Sequence, residues 1–89
     1  MYSLKLQKQV AKFLEKRNKK ELKKIIEKFE LLKINPYPNN ESLDIKKLQN
    51  REDYRLRIGK YRFIYKIKDD VLLILMEKAD SRGDIYKWK

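Results

Sequence analysis

The stretch YRLRIGKYRF, Tyr54 to Phe63, decides how this chain is read. Apolar and polar residues alternate on both sides of Gly59-Lys60, the period of two half-buried strands. A Gly-X pair suits a two-residue type II′ turn, whose first central residue needs a positive φ. With Gly59 and Lys60 as the loop, Ile58 pairs with Tyr61 and Arg57 with Arg62. Tyr54, Leu56, Ile58, Tyr61, Phe63 and Tyr65 then share one face, and Arg55, Arg57, Arg62, Ile64 and Lys66 the other. Directly opposed like charges in a sheet are destabilising by about some tenths of a kcal/mol, and no carboxylate within the stretch offsets them. A multivalent anion such as phosphate reverses the sign of that effect, and the arginine fork matches phosphate geometry. The alternative is an ion pair: the strand from Val71 to Ala79 carries Glu77, which could stand beside Arg62. The residues by themselves therefore predict an anion-binding sheet face.

Upstream, YSLKL alternates Tyr2, Leu4 and Leu6 against Ser3 and Lys5, the pattern of a strand. Two helices follow, with Val10, Phe13 and Leu14 on one stripe and Leu22, Ile25, Ile26, Phe29 and Leu32 on the other. Asn18 followed by Glu21 resembles a capping box opening the second helix. Asn35-Pro36 closes it, because the residue before proline is driven from helical dihedrals. The break at 16–19 is short enough to make the pair an antiparallel hairpin. Residues 36–53 carry two prolines and adjacent asparagines and read as a loop, with LDIKKL inside it as a short strand or turn on the sheet. After the hairpin, VLLILMEKA is a continuous apolar strand, as expected of a central strand covered on both faces. The predicted order is β-α-α-β-β-β with a C-terminal tail. That is one α+β domain over 1–89, a helical hairpin covering one face of a mainly antiparallel sheet.

The chain has 89 residues, with 24 Lys+Arg against 13 Asp+Glu and a formal net charge of +11. Such an excess calls for an anionic partner: RNA, DNA, an acidic protein or a membrane surface. Cysteine and histidine are absent, which excludes disulfides, Cys/His zinc sites and histidine-dependent acid–base pairs. Neither a signal peptide nor a membrane span is expected, since the longest apolar run, Val71 to Met76, is far too short. A cytoplasmic protein follows as the expectation, with no cofactor, no metal site and no small-molecule substrate. The tail adds Arg82 and, four residues on, Tyr86, followed by Lys87, Trp88 and Lys89. Tyr86 could stack on a base or bring a hydroxyl to a phosphate, or with Trp88 it could plug a core edge.

Taken together, EDYRLRIGKYRFIYKI and SRGDIYK resemble the RelE/ParE toxin superfamily, in which a YRxRxGxYRxxY strand pair precedes a terminal R-x-x-x-Y. DIKKL matches the segment before that hairpin, and the N-terminal strand and helices also fit. The resemblance implies the toxin of a type II toxin–antitoxin pair. RelE-like members cut mRNA in the ribosomal A site without metal, by attack of a ribose 2′-OH on the adjacent phosphate. ParE-like members share the fold but inhibit DNA gyrase. Carried over, Arg55 and Arg57 match the basic pair, Arg62 the arginine of the next strand, Arg82 the basic residue of the tail and Tyr86 the terminal tyrosine. The expected catalytic set is thus Arg57, Arg62, Arg82 and Tyr86, with Arg55, Lys60, Lys66 and Lys87 contacting RNA. The sequence departs from the family in having arginine at both basic-pair positions and Ser81 where relatives often have histidine. Tyr86 and Glu77 remain to act as base. The implied partners are an acidic antitoxin, the ribosome and mRNA. A gyrase inhibitor and a noncatalytic RNA-binding module are the competing readings.

Overall fold

The computed structural model describes residues 1–81. Its elements run β1 (Ser3–Leu6), α1 (Lys8–Glu15), α2 (Lys19–Ile34), β2 (Asp44–Lys47), β3 (Tyr54–Ile58), β4 (Tyr61–Lys68) and β5 (Leu73–Ser81). The five strands make one sheet in the order β1-β5-β4-β3-β2. β1 runs parallel to β5, and every other neighbouring pair is antiparallel. The expected α+β class stands, and the DIKK segment is a fifth strand at the sheet edge. No helix among the described residues is long and apolar enough to cross a membrane.

Local chemistry accounts for the helix limits. Asn18 accepts a hydrogen bond from the backbone N–H of Glu21 at 2.8 Å, capping α2 and satisfying one of its orphan donors. The Glu21 carboxylate, which would complete a capping box, instead accepts from the Tyr61 hydroxyl at 2.8 Å and so ties the helix start to β4. Asn35 is extended, φ −152 and ψ 105, and ends α2 where proline requires it.

The core lies between the helices and one sheet face. Val10, Ile25, Phe29 and Leu32 pack with Leu56, Ile58, Tyr61, Phe63, Tyr65, Ile74, Met76 and Ala79. Aromatic rings meet edge to face here, Phe29 on Phe63 at 5.1 Å and Phe13 on Tyr61 at 5.4 Å between centroids. Edge-to-face pairs of this kind set positive ring edge against negative ring face. Ile26, assigned to the apolar stripe by spacing, is exposed, because the stripe of α2 turns inward at Ile25, Phe29 and Leu32 only.

Two expectations about the last strand are corrected. Val71 belongs to a 3-10 turn, and Leu72 follows in the left-handed region at φ +49, so β5 begins at Leu73. The strand covered on both faces is β4, at the middle of the sheet, where Tyr61 through Tyr65 are all buried. β5 alternates buried Ile74 and Met76 with half-buried Leu73 and Leu75, one face only. A register shift opposite Ile64 and Tyr65 inserts Glu77 as a bulge, which restores Ala79 to the core side. β1 stops opposite Met76. Beyond it, Gln9 of α1 takes over the strand edge, donating to Ala79 O at 2.7 Å and accepting from Ala79 N at 2.9 Å.

Candidate nucleic-acid interface

The β3–β4 hairpin has the expected register: Ile58 opposite Tyr61, and Arg57 opposite Arg62. Gly59 sits at φ +59, as the first position of a type II′ turn demands. Arg55, Arg57 and Arg62 therefore share the sheet face away from the helices. The counter-charge comes from outside the hairpin. Asp44 of β2 stands in register with Arg57; its carboxylate accepts from Arg55 Nη2 at 2.7 Å and forms an ion pair with Arg57, 2.8 Å from Nε. On the other side, Asp80 of β5 stands in register with Arg62. Four neighbouring strands thus contribute one residue each to a transverse row, Asp44–Arg57–Arg62–Asp80, with the two cations inside and the two anions outside. Across antiparallel strands about 5 Å apart, the inner pair is close enough for one anion to touch both.

Exposure divides the arginines. The Arg57 side chain is 51% exposed and that of Arg55 only 19%, while Arg62 is buried at 6%. Arg57 and Asp44 also front an open cleft of about 400 Å³ whose far wall carries Lys24 and Lys28 of α2.

The ion pair imagined between Glu77 and Arg62 is not how Glu77 is used. Its carboxylate meets Lys66 Nζ at 3.1 and 3.3 Å. Lys66 also pairs with Asp53 at 2.8 Å, and Arg51 closes on the same carboxylate. Burial pushes the Asp53 carboxyl up, but the Lys66 hydrogen bond and the Arg51 and Lys66 charges outweigh it and hold the group below the usual range. The Asp53 and Glu77 hydrogen bonds raise Lys66 above the ordinary lysine value, against a smaller opposing effect of desolvation. Lys66 is therefore on the predicted face but already flanked by two carboxylates. Lys60 lies at the hairpin tip on the helix side, 5.5 Å from the Tyr61 ring centroid and 4.0 Å from Glu21. Arg82, Tyr86 and Lys87 lie outside the described residues.

Asp44, Asp53 and Asp80 escaped the sequence reading as members of this face. Strand register reveals Asp44 and Asp80 and the Lys66 contact reveals Asp53; only Asp44 had a usable signal, its period-2 step from Lys46 within a presumed loop. A second cluster lies at the opposite end of the sheet. Asp69 accepts from the hydroxyls of Tyr2 and Tyr37, which lowers its carboxyl and raises both phenols. It clasps β1, the loop after α2 and the β4–β5 turn. No cluster of metal-ligating side chains occurs among the described residues.

Comparison with known proteins agrees with this architecture. The family model of the ParE toxin of the type II toxin–antitoxin system parDE matches residues 3–76. A protein of Methanocaldococcus jannaschii, named as a candidate RelE toxin, is 38% identical over 97% of this chain and 96% of its own length. Among solved structures, the archaeal RelE–RelB complex from Pyrococcus horikoshii superposes with a TM-score of 0.80 at 32% identity, covering 92% of this chain and 96% of that one. The RelB–RelE antitoxin–toxin complex from Methanococcus jannaschii gives 0.73 at 26%, covering 94% and 96%. A five-stranded sheet backed by two helices, a paired-arginine hairpin on its far face and these matches over nearly the whole length lead to one conclusion: the chain belongs to the RelE/ParE superfamily of type II toxin–antitoxin toxins.

Proposed function

We propose that this chain is a ribosome-dependent endoribonuclease, acting in the cytoplasm on mRNA in the A site and restrained by an acidic antitoxin. The observation that carries the reading is the Arg57–Arg62 pair, two cations set directly opposite each other with Arg55 beside them. In the proposed reaction a ribose 2′-OH attacks the adjacent phosphate. The O2′–P bond forms, the P–O5′ bond breaks with the departing O5′ taking a proton from solvent, and the products end in 2′,3′-cyclic phosphate and 5′-OH. Charge builds on the phosphorane oxygens, and fixed guanidinium groups stabilise it. Arginine donates but cannot accept the 2′-OH proton. Both Glu77 oxygens lie on Lys66 Nζ, so Tyr86 is the proposed acceptor, a role that requires its phenol to be acidified by positive charge, with Arg82 proposed as a further cation. The ribosome contributes by holding the 2′-OH in line, worth several kcal/mol, about 10²-fold or more in rate. An acidic antitoxin fits a chain of +11 through steered association and charge neutralisation. RelE–RelB complexes among the structural neighbours support such a partner.

Purified ribosomes programmed with mRNA test the proposal. Cleavage is expected on translated message with little on naked message, with cyclic-phosphate ends and no inhibition by EDTA beyond its effect on ribosomes. A 3′-hydroxyl product would refute the scheme. The match to the ParE model favours gyrase inhibition as a second reading. That reading requires intact mRNA and gyrase-linked DNA breaks in the same cells.

A further inference from the structure

Arg55 and Arg57 are alternate residues of β3, and one carboxylate from the edge strand holds both. Asp44 takes Arg55 by Nη2, 2.7 Å, and Arg57 by Nε, 2.8 Å. The two guanidinium groups are not equivalent. Arg55 lies mostly buried beneath the pair with its Nε enclosed, whereas Arg57 is half exposed and fronts the cleft. Nε is the inner nitrogen of an arginine fork, so the Asp44 charge beside it steadies the group from behind and leaves the two terminal nitrogens to meet a ligand. Those terminal nitrogens have no partner among the described residues.

We infer that Asp44 is a positioning residue that aims Arg57 at a phosphate seated between Arg57 and Arg62, with Arg55 acting as the anchor of Asp44 and not as a ligand contact. The inference rests on the reading of this face as the RNA-cleaving site. A guanidinium already fixed in one plane loses less freedom on binding and delivers more of its charge where the transition state develops it. Asp44 also carries negative charge towards an anionic substrate. Its two effects therefore have opposite signs for binding and for turnover. A merely structural residue would not separate them.

The experiment is Asp44→Asn in ribosome-dependent cleavage. kcat is expected to fall about 10-fold to 100-fold, the scale of a small misplacement of a charged group, while KM stays level or drops. Arg55→Gln should lower kcat likewise, with KM level or raised because it removes a positive charge from the face. On an Arg57→Gln background, Asp44→Asn should cost no further twofold, because Asp44 acts through Arg57. A readout independent of activity is the ¹⁵N-resolved Nε–H signal of Arg57, expected at neutral pH in the parent protein and lost in Asp44→Asn. Unchanged kcat, a rise in KM at constant kcat, a full additional loss on the Arg57→Gln background, or an Nε–H signal indifferent to Asp44 would each overturn the inference. If Asp44→Asn fails to fold, Arg55→Gln decides the same question. If the parent protein cuts no message, the proposed function fails, and the Nε–H signal still judges Asp44.

Discussion

Replacing Arg57 by glutamine separates the two things an arginine on a sheet can do. Its cost to folding is the ion pair with Asp44, 2.8 Å long between side chains that are 51% and 42% exposed. Exposed pairs of this kind contribute about 0.2–1 kcal/mol. Against that stands relief of the repulsion from Arg62 directly opposite, about some tenths of a kcal/mol, and Asp44 keeps Arg55 at 2.7 Å. The net change is about 0–0.5 kcal/mol, a melting shift of roughly 3 °C or less in a domain of this size. Turnover should fall about 10²–10³-fold, the usual effect of removing one fixed donor from a developing anion. Thermal melts followed by circular dichroism, run beside the ribosome cleavage assay, measure both. Arg62 provides the contrast: it is buried at 6%, so Arg62→Gln should lose activity and also about 1–3 kcal/mol of stability. A melting temperature that drops by 8 °C or more in Arg57→Gln, or cleavage within twofold of the parent, would refute the reasoning.

Asp53→Asn should destabilise by about 2–3 kcal/mol at pH 7, the scale of hydrogen bonds to charged groups lost from a buried acceptor. Because the folded carboxyl is held below its unfolded value, that stabilisation is present above about pH 4 and disappears as pH falls through the folded value. Urea curves of parent and variant should therefore converge in acid, and a constant gap from pH 7 to pH 3 would contradict the assignment. Asn18→Ala should cost about 1 kcal/mol through the lost cap of α2, read as a lower urea midpoint with unchanged slope, and Asn18→Asp should restore it.

The hairpin, the helix limits and the fold class were written in neighbouring residues. Gly59-Lys60 with strict alternation on either side forces the Arg57–Arg62 register, since a two-residue loop leaves no freedom to slip. Asn18 and Asn35-Pro36 mark α2 for equally local reasons. What surrounds the arginines was decided by tertiary structure. Asp44 lies thirteen positions before Arg57 in the chain, in a strand with one buried residue, Ile45, too short to show a period. Its partnership exists only because β2 pairs with β3. Asp53, Lys66 and Glu77 likewise meet across strands, and the bulge that places Glu77 follows from the β4–β5 pairing, with no mark in β5 itself. Burial of β4 on both faces, where β5 looked the more apolar, follows from strand order, because the middle of a sheet is set by which edges pair. Alternation and capping are local interactions, legible one segment at a time. Charge neutralisation on a sheet face is a contact between distant segments, and the chain declares it only when it closes.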